Sequence, residues 1–462
     1  MNHLRIKSAL SIALLIGICV ASPLVGITVP TADEKSGVMI DFGYYDVDWV
    51  ELGFERGTTG MEALEMACSA KGYAIRKDAH GSVVSVDGEA NLVASTWGMY
   101  VLEKDRTWSR VEDPRSYDVG GEKIVSWARA SDVGDMMPAV DQTGHTYYSY
   151  ASHGKNAHGR NLRIACLAPS VTETLSAVGA SEYIVATDKY SDYPQSISDR
   201  QGSGEISYVG GYTDPNYELI VSSEPDIVFL DGSVGEHVTV ADKLRKSGLN
   251  AVVLYEVVGM TDLMKNVWIA ASAIGFSERG NDYNVQLSTT VRAICAVSNI
   301  KSCKAFVSLS ANDSPYVAGN NTYPDSILAS IGVTNVFSDI PGWGMVDKES
   351  IYVKQPDAII IIYEGSEITT EKEYENVLRS LNSMWKDTPA FERKCVYLFS
   401  GKSADLLSRP GARLGAVAEL MAKVLDMDSF IAADYWDRCP KFFGDDYSQY
   451  LRYQGAEGAL LV

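Results

Sequence analysis

One short unit occurs twice in this chain, and it constrains the fold more than any other feature. Residues 208–230 read YVGGYTDPNYELIVSSEPDIVFL, and residues 342–362 read GWGMVDKESIYVKQPDAIIII. Tyr212, Glu218, Pro225 and Asp226 recur as Trp343, Glu349, Pro356 and Asp357, each shifted by 131 residues. In both copies glycines lie beside an aromatic residue, a short helical stretch follows, and Pro-Asp leads into an apolar run. Glycine permits backbone conformations closed to other residues. A short apolar run bounded by turn signals reads as a buried strand. Two copies imply two related α/β lobes, with the function between them.

The flanking pattern extends both lobes. RIACLA is a buried strand, and Pro169-Ser170-Val171-Thr172-Glu173 opens a helix that ends near Gly179; YIVATD, DIVFLD and AVVLYE are further strands. Residues 277–298 lack proline and hold only Gly280, which predicts one helix of about 30 Å. The alternation then resumes with AFVSLS, a helix over 325–331, the second aromatic unit, AIIIIY, VYLFS and a helix over 411–425. The predicted fold class is α/β, with two doubly wound lobes (162–276 and 303–425) joined by one long helix (277–298). Asp214, ahead of Pro215, reads as a helix cap, and Asp347 as the cap of the helix carrying Glu349. Tyr212 and Trp343 fall in loops that precede helices.

Ahead of the lobes, residues 37–130 read as a small α+β, β-grasp-like domain. Thr59 and Glu62 have capping-box spacing, and the helix they open carries Ala63, Leu64, Ala67 and Cys68 and ends at Gly72. VVSVDG, WGMYVLE, TWSRV and EKIVSWARA are strand patterns around it. Residues 131–161 lose all periodicity and read as a solvated linker holding His145, His153 and His158, whose spacing matches no fixed metal-ligand geometry. Residues 426–462 form an aromatic-rich extension with Tyr435, Trp436, Phe442, Phe443 and Tyr447.

A formal charge of −20 argues against a nucleic-acid or anionic-membrane surface. Arg5 and Lys7 precede an apolar run, and small residues near Ala21 and Ala32 fit export-signal cleavage over residues 1–32. An uncleaved membrane anchor is the alternative, since residues 9–29 are just long enough to span a bilayer. Ile18 argues against lipid attachment at Cys19. Either way the chain is predicted to act outside the cytoplasm, in the periplasm or at the cell surface. Cys68, Cys166, Cys295, Cys303, Cys395 and Cys439 permit disulfides without specifying them, and no CxxC pair supports a zinc or redox site.

Several motifs carry a family resemblance. RIACLAPSVTETLSAVGA, TDKYSDYP, VGGYTDPNYE and EPDIVFL resemble the first lobe of the helix-linked solute-binding proteins of ATP-driven importers for corrinoids, haem and ferric siderophores. The resemblance spans residues 162–424 and is nearest to the vitamin B12 receptors. Residues 37–130 resemble, in element order, the small C-terminal domain of the B12 carriers transcobalamin and intrinsic factor. The resemblance implies that Tyr190, Tyr212 and Trp343 face the ligand, with Tyr316 as the apolar contact from lobe two. It implies that Asp405 and Arg409 reach the ligand's polar edge, and that Glu218 and Glu349 dock on arginines of an ABC permease dimer. Tyr212 stands where the B12 receptors carry tryptophan.

The residues fit that chemistry on their own terms. A large, partly apolar ring system needs flat aromatic walls and a few polar anchors. Arg409 can fork onto a carboxylate, phosphate or amide oxygen, although Asp405 and Arg409 also have the i,i+4 spacing of an ordinary surface pair. No GxSxG, HExxH, Walker A or suitably placed GxGxxG supports an enzyme. The expected role is therefore extracytoplasmic capture of a corrinoid for an ABC importer, without a resident cofactor or metal, the cargo being a corrinoid or an iron chelate. Haem or ferric-siderophore capture is the alternative within the class. A surface scaffold and a metallocofactor-processing enzyme are the alternatives outside it.

Overall fold

In both copies of the repeat, the acidic residue occupies the second position of a short helix. Glu218 lies in the helix Tyr217–Ser222, which Asn216 caps by accepting the Leu219 N–H at 3.0 Å. Glu349 lies in Lys348–Lys354, which Asp347 caps by accepting the Ser350 N–H at 2.7 Å. Asn216 and Asp347 are themselves equivalent positions of the repeat, so the expectation that Asp214 caps the first helix is corrected. Pro215 fixes its own φ and biases Asp214 toward extended backbone, so the chain turns helical two residues later. Both helices end in the same way, with Glu224 (φ 49°) and Gln355 (φ 48°) in the left-handed region. The Pro-Asp half of the unit is a staple. Asp226 accepts the Arg163 N–H at 2.9 Å, and Asp357 accepts the Lys304 N–H at 3.1 Å. Each aspartate ties the unit to the start of its lobe's first strand.

The computed structural model describes residues 36–451 apart from 44–46, 105–106, 122–123, 132–135, 148–152, 157, 298–299, 301–302, 313 and 426–440. The predicted export or anchor segment with Cys19, and Tyr435, Trp436 and Cys439, lie outside the described residues. Among those described, no helix is long and apolar enough to cross a membrane.

Lobe 1 is a five-stranded parallel sheet in the order Ser207–Tyr208, Ile184–Thr187, Ile164–Cys166, Ile227–Asp231, Asn250–Leu254. Lobe 2 is mixed. Its strands Lys304–Ser308, Ala358–Ile362 and Val396–Phe399 run parallel, while Tyr316–Ala318 pairs antiparallel with Lys304–Ser308 and with Trp343–Met345. Trp343 is therefore an edge-strand residue rather than a loop residue. The C-terminal extension joins this sheet, since Phe442–Phe443 pairs parallel with Val396–Phe399 and the two Phe399 and Phe443 rings stack at 4.9 Å.

The linking helix runs Ser277–Val297. Its close seat on the helix Met260–Ala273 depends on Gly280, where a Cβ would meet the Ala271 Cβ at 2.6 Å. Asn284 donates to the Met264 carbonyl at 2.9 Å, and the Tyr283 hydroxyl donates to the Ala412 carbonyl.

The N-terminal unit has one five-stranded mixed sheet in the order Val47–Glu51, Gly37–Asp41, Ile124–Ala130, Thr96–Leu102, Trp108–Val111. The helix Gly60–Lys71, opened by the Thr59/Glu62 capping box and closed by Gly72 at φ 74°, packs Leu64 and Ala67 over the sheet face that carries Trp127. The other face is also apolar. Met39, Trp49, Tyr100 and Trp108 join a core that includes Met136, Met137, Val140 and Tyr147. The expectation of a solvated linker is thus corrected over its first half. Trp108 Nε1 donates to the Met137 carbonyl at 3.2 Å, and buried Asp141 pairs with Arg245 at 2.7 Å while accepting the Val253 N–H at 2.9 Å. A sheet apolar on both faces needs a cover on each, and residues 136–147 supply the second. His153 and His158 are exposed, as a solvated stretch would have them.

The cysteines do not form a described framework: Cys68 and Cys166 are buried thiols, and Cys295 and Cys395 are unbridged. Burial pushes the Cys68 thiol up to about 11, which makes it inert packing rather than a nucleophile.

Candidate functional site

Between the lobes lies a cleft of about 810 Å3, within the range of small-ligand sites. Tyr190, Tyr212, Trp343, Asp405 and Arg409 all line it. Tyr316 does not. Tyr316 and Trp343 project from the same face of the edge strand and its neighbour, and their rings stack at 5.9 Å and 15°. Tyr316 backs the tryptophan instead of facing the cleft. Tyr190 is half-exposed on a turn where its N–H bonds to Asp188 at 2.7 Å. Burial pushes the Asp188 carboxyl up, and the Ser191 hydroxyl donates to it. Burial likewise raises the Tyr212 phenol, aided by Asp231, so it stays a neutral donor.

Asp405 lies within the helix Gly401–Ser408, and Arg409 caps its C-terminal end. Arg409 Nη2 lies 3.0 Å from Asp405, and Nη1 lies 2.5 Å from Asp192 on the opposite lobe. The i,i+4 pair exists, but it is part of a bridge between lobes. Burial pushes the Asp405 carboxyl up from its ordinary value, against the pull of Arg409.

Beneath Arg409 lies a second bridge, invisible in the sequence. Glu173 of lobe 1 and Arg413 of lobe 2 are 1% and 3% exposed and meet through two hydrogen bonds of 2.6 and 2.9 Å. Tyr447, from the C-terminal extension, accepts from Arg413 at 3.0 Å. Burial disfavours the Arg413 cation, and the Glu173 carboxylate and the Tyr447 hydroxyl together more than restore it. The only sequence signal was a charge on each side of otherwise apolar helical stretches.

Asp231, Glu256 and Glu364, which sequence reasoning missed, set the sign of the cleft together with Asp405 and Arg409. Asp231, Glu256, Glu364 and Asp405 contribute four carboxylates and Arg409 one guanidinium, a formal charge of −3 among the described lining. Ser170 and Ser233 hold the Asp231 carboxylate at 2.9 and 2.7 Å. Glu218 and Glu349 do not line the cleft. Both are exposed on their short helices, beside the exposed apolar residues Leu219, Val221, Tyr352 and Val353.

The model of the periplasmic binding protein family matches residues 164–401. An uncharacterized ABC transporter substrate-binding lipoprotein of Bacillus subtilis is 22% identical over 273 residues, covering 58% of this chain and 81% of that protein. A vitamin B12-binding protein of Vibrio parahaemolyticus is 25% identical over 263 residues, covering 56% and 87%. Among solved structures, a periplasmic haem-binding protein of Vibrio cholerae aligns at a TM-score of 0.49 and 23% identity, over 57% of this chain and 98% of that one. A periplasmic vitamin B12-binding protein of the same species aligns at 0.47 and 22%, over 57% and 96%. With the family match covering more than half of its 462 residues, the chain belongs to the periplasmic binding protein family.

Proposed function

We propose that the protein captures a corrinoid in the interlobe cleft, outside the cytoplasm, and delivers it to an ABC importer without catalysing a reaction. The observation that carries the reading is the cleft's combination of aromatic walls with a net negative lining. Trp343, Tyr212 and Tyr190 offer flat apolar surface for a macrocycle. A polyanionic ligand would have to bring its charges into a cleft of formal charge −3, with Arg409 already engaged by Asp192 and Asp405. Haem with two propionates and the anionic ferric catecholates are disfavoured on that ground. A corrin ring edged with neutral amides is not, because its carbonyls accept from Arg409 and its N–H groups donate to the carboxylates.

In this reading the metal arrives as part of the cargo. Glu218 and Glu349, one on the outer surface of each lobe and matched through the repeat, are the contacts for a permease with two related halves. The B12-binding relatives and the family match support the class of the reading, and the cleft chemistry supports the ligand. Absorption titration of the purified protein with cobinamide, cyanocobalamin, haemin and ferric siderophores tests it. A saturable shift of the corrin bands, tighter than any haemin response, is the expected outcome. Saturable haemin or siderophore binding with no corrinoid response would overturn it.

A further inference from the structure

His237, on the helix Gly235–Lys246, is completely buried and lies directly behind the cleft wall. Its Nδ1 accepts the backbone N–H of Asp231 at 3.0 Å. Its Nε2 lies 2.7 Å from the carbonyl oxygen of Tyr212, an atom that can only accept. Together these contacts fix one state of the ring, neutral, with the proton on Nε2. The imidazole also stands edge-on to the Tyr212 ring, with centroids 6.4 Å apart at 86°. The two atoms it joins belong to different segments, one in the loop approaching the helix Tyr217–Ser222 and the other in the last residue of the strand Ile227–Asp231, and Tyr212 and Asp231 both line the cleft.

We propose that His237 is a positioning residue for ligand capture, holding the Tyr212 wall to the strand end at Asp231 only while its imidazole is neutral, so that capture weakens in acid. The proposal rests on reading the cleft as the ligand site. A protonated ring would set an N–H at Nδ1 against the Asp231 N–H, donor facing donor in a dry site, and one segment must then let go. The charges acting on the ring are Asp231 at the strand end and Glu236 on its own helix, both favouring the cation, with the Tyr212 phenol as the facing neutral group. Burial outweighs them and holds the pKa below the ordinary 6.5. The sign follows: the neutral, bonded state is complete above the ordinary value and is lost as pH falls through the lower folded one.

The test measures cyanocobalamin affinity against pH for the wild type, H237Q and H237A. Glutamine can still donate to the Tyr212 carbonyl but does not titrate. H237Q is expected to keep neutral-pH affinity within about three-fold, and H237A to lose at least about ten-fold, as expected when a buried hydrogen bond is removed. Wild-type affinity falls in acid with a limiting slope of about ten-fold per pH unit, and this step is absent from H237Q. A flat wild-type profile, or the same acid loss in H237Q from groups such as Asp405, overturns the proposal. If the wild type fails to bind cyanocobalamin at neutral pH, the corrinoid reading falls and the imidazole nitrogen spectrum decides this one. A neutral Nε2–H tautomer at His237, whose loss in acid moves the Tyr212 and Asp231 amide signals together, supports it. The Nδ1–H tautomer, or unmoved amides, overturns it.

Discussion

Replacing Glu173 by glutamine deletes one charge from a buried ion pair between the lobes with little change in volume. Arg413, 3% exposed, then keeps Tyr447 but loses the carboxylate that meets it at 2.6 and 2.9 Å. Removing one partner of a buried pair costs about 3–5 kcal/mol, because the remaining charge stays desolvated. Arg409, 3.7 Å from Glu173, loses a neighbour too, but Asp192 and Asp405 still hold it. With a urea m-value of about 3 kcal/mol per M, the unfolding midpoint should fall by about 1 M or more. A double variant E173M/R413M, with apolar side chains at both positions, should recover most of that loss, since a paired burial exchanged for apolar packing is near neutral. The assay is urea denaturation followed by circular dichroism on the parent, both single variants and the double variant. A midpoint for E173Q within about 0.2 M of the parent, at that same m-value, would show that water or side-chain rearrangement already shields the pair. A double variant no better than the worse single would refute the charge argument itself.

Trp343→Ala should weaken cobinamide binding by about 2–4 kcal/mol, at least about thirty-fold, and more than Tyr212→Ala, as calorimetry can read. Tyr316→Ala, which removes only the backing of Trp343, should cost less than either. Asp405→Asn should weaken ligand binding yet raise the melting temperature at neutral pH. Burial raises the folded pKa of Asp405, so the ionised form is the disfavoured one, and its cost is present above that value and relieved as pH falls through it. Glu218→Arg with Glu349→Arg should leave cyanocobalamin affinity unchanged and abolish uptake in a transport assay; normal uptake would remove the docking assignment. Ligand binding should change the radius of gyration little, because the helix Ser277–Val297 is continuous and closely seated, so a clear contraction in solution scattering would contradict it.

The twofold unit made much of this architecture legible before any coordinates. It exposed Tyr212 and Trp343 together, paired Glu218 with Glu349, and would have identified Asn216 as the cap had the Asp347 position been carried back through the shift. Local signals served equally well where the physics is local, as in the Thr59/Glu62 capping box and the long helix ended by no proline. What stayed hidden depends on contacts between distant segments. Glu173 and Arg413 are 240 residues apart, and nothing local in either says that they meet. Glu256 and Glu364 each lie two residues past the end of a buried strand and His237 on a helix, and no local pattern in the sequence marks them as lining or backing a cleft. Residues 136–147 read as linker because their apolar positions follow no period. They cover the back of a sheet without forming a regular element, and only burial reveals that role.

A negatively lined, aromatic-walled cleft should take a neutral, amide-edged corrin in preference to an anionic macrocycle. Calorimetric titration of the purified protein with cobinamide and with haemin, beside the Trp343→Ala variant, tests it most directly. The expected result is one cobinamide site that binds more tightly than haemin and is lost in large part with Trp343. Tighter haemin binding, or cobinamide binding that is indifferent to Trp343, would contradict it.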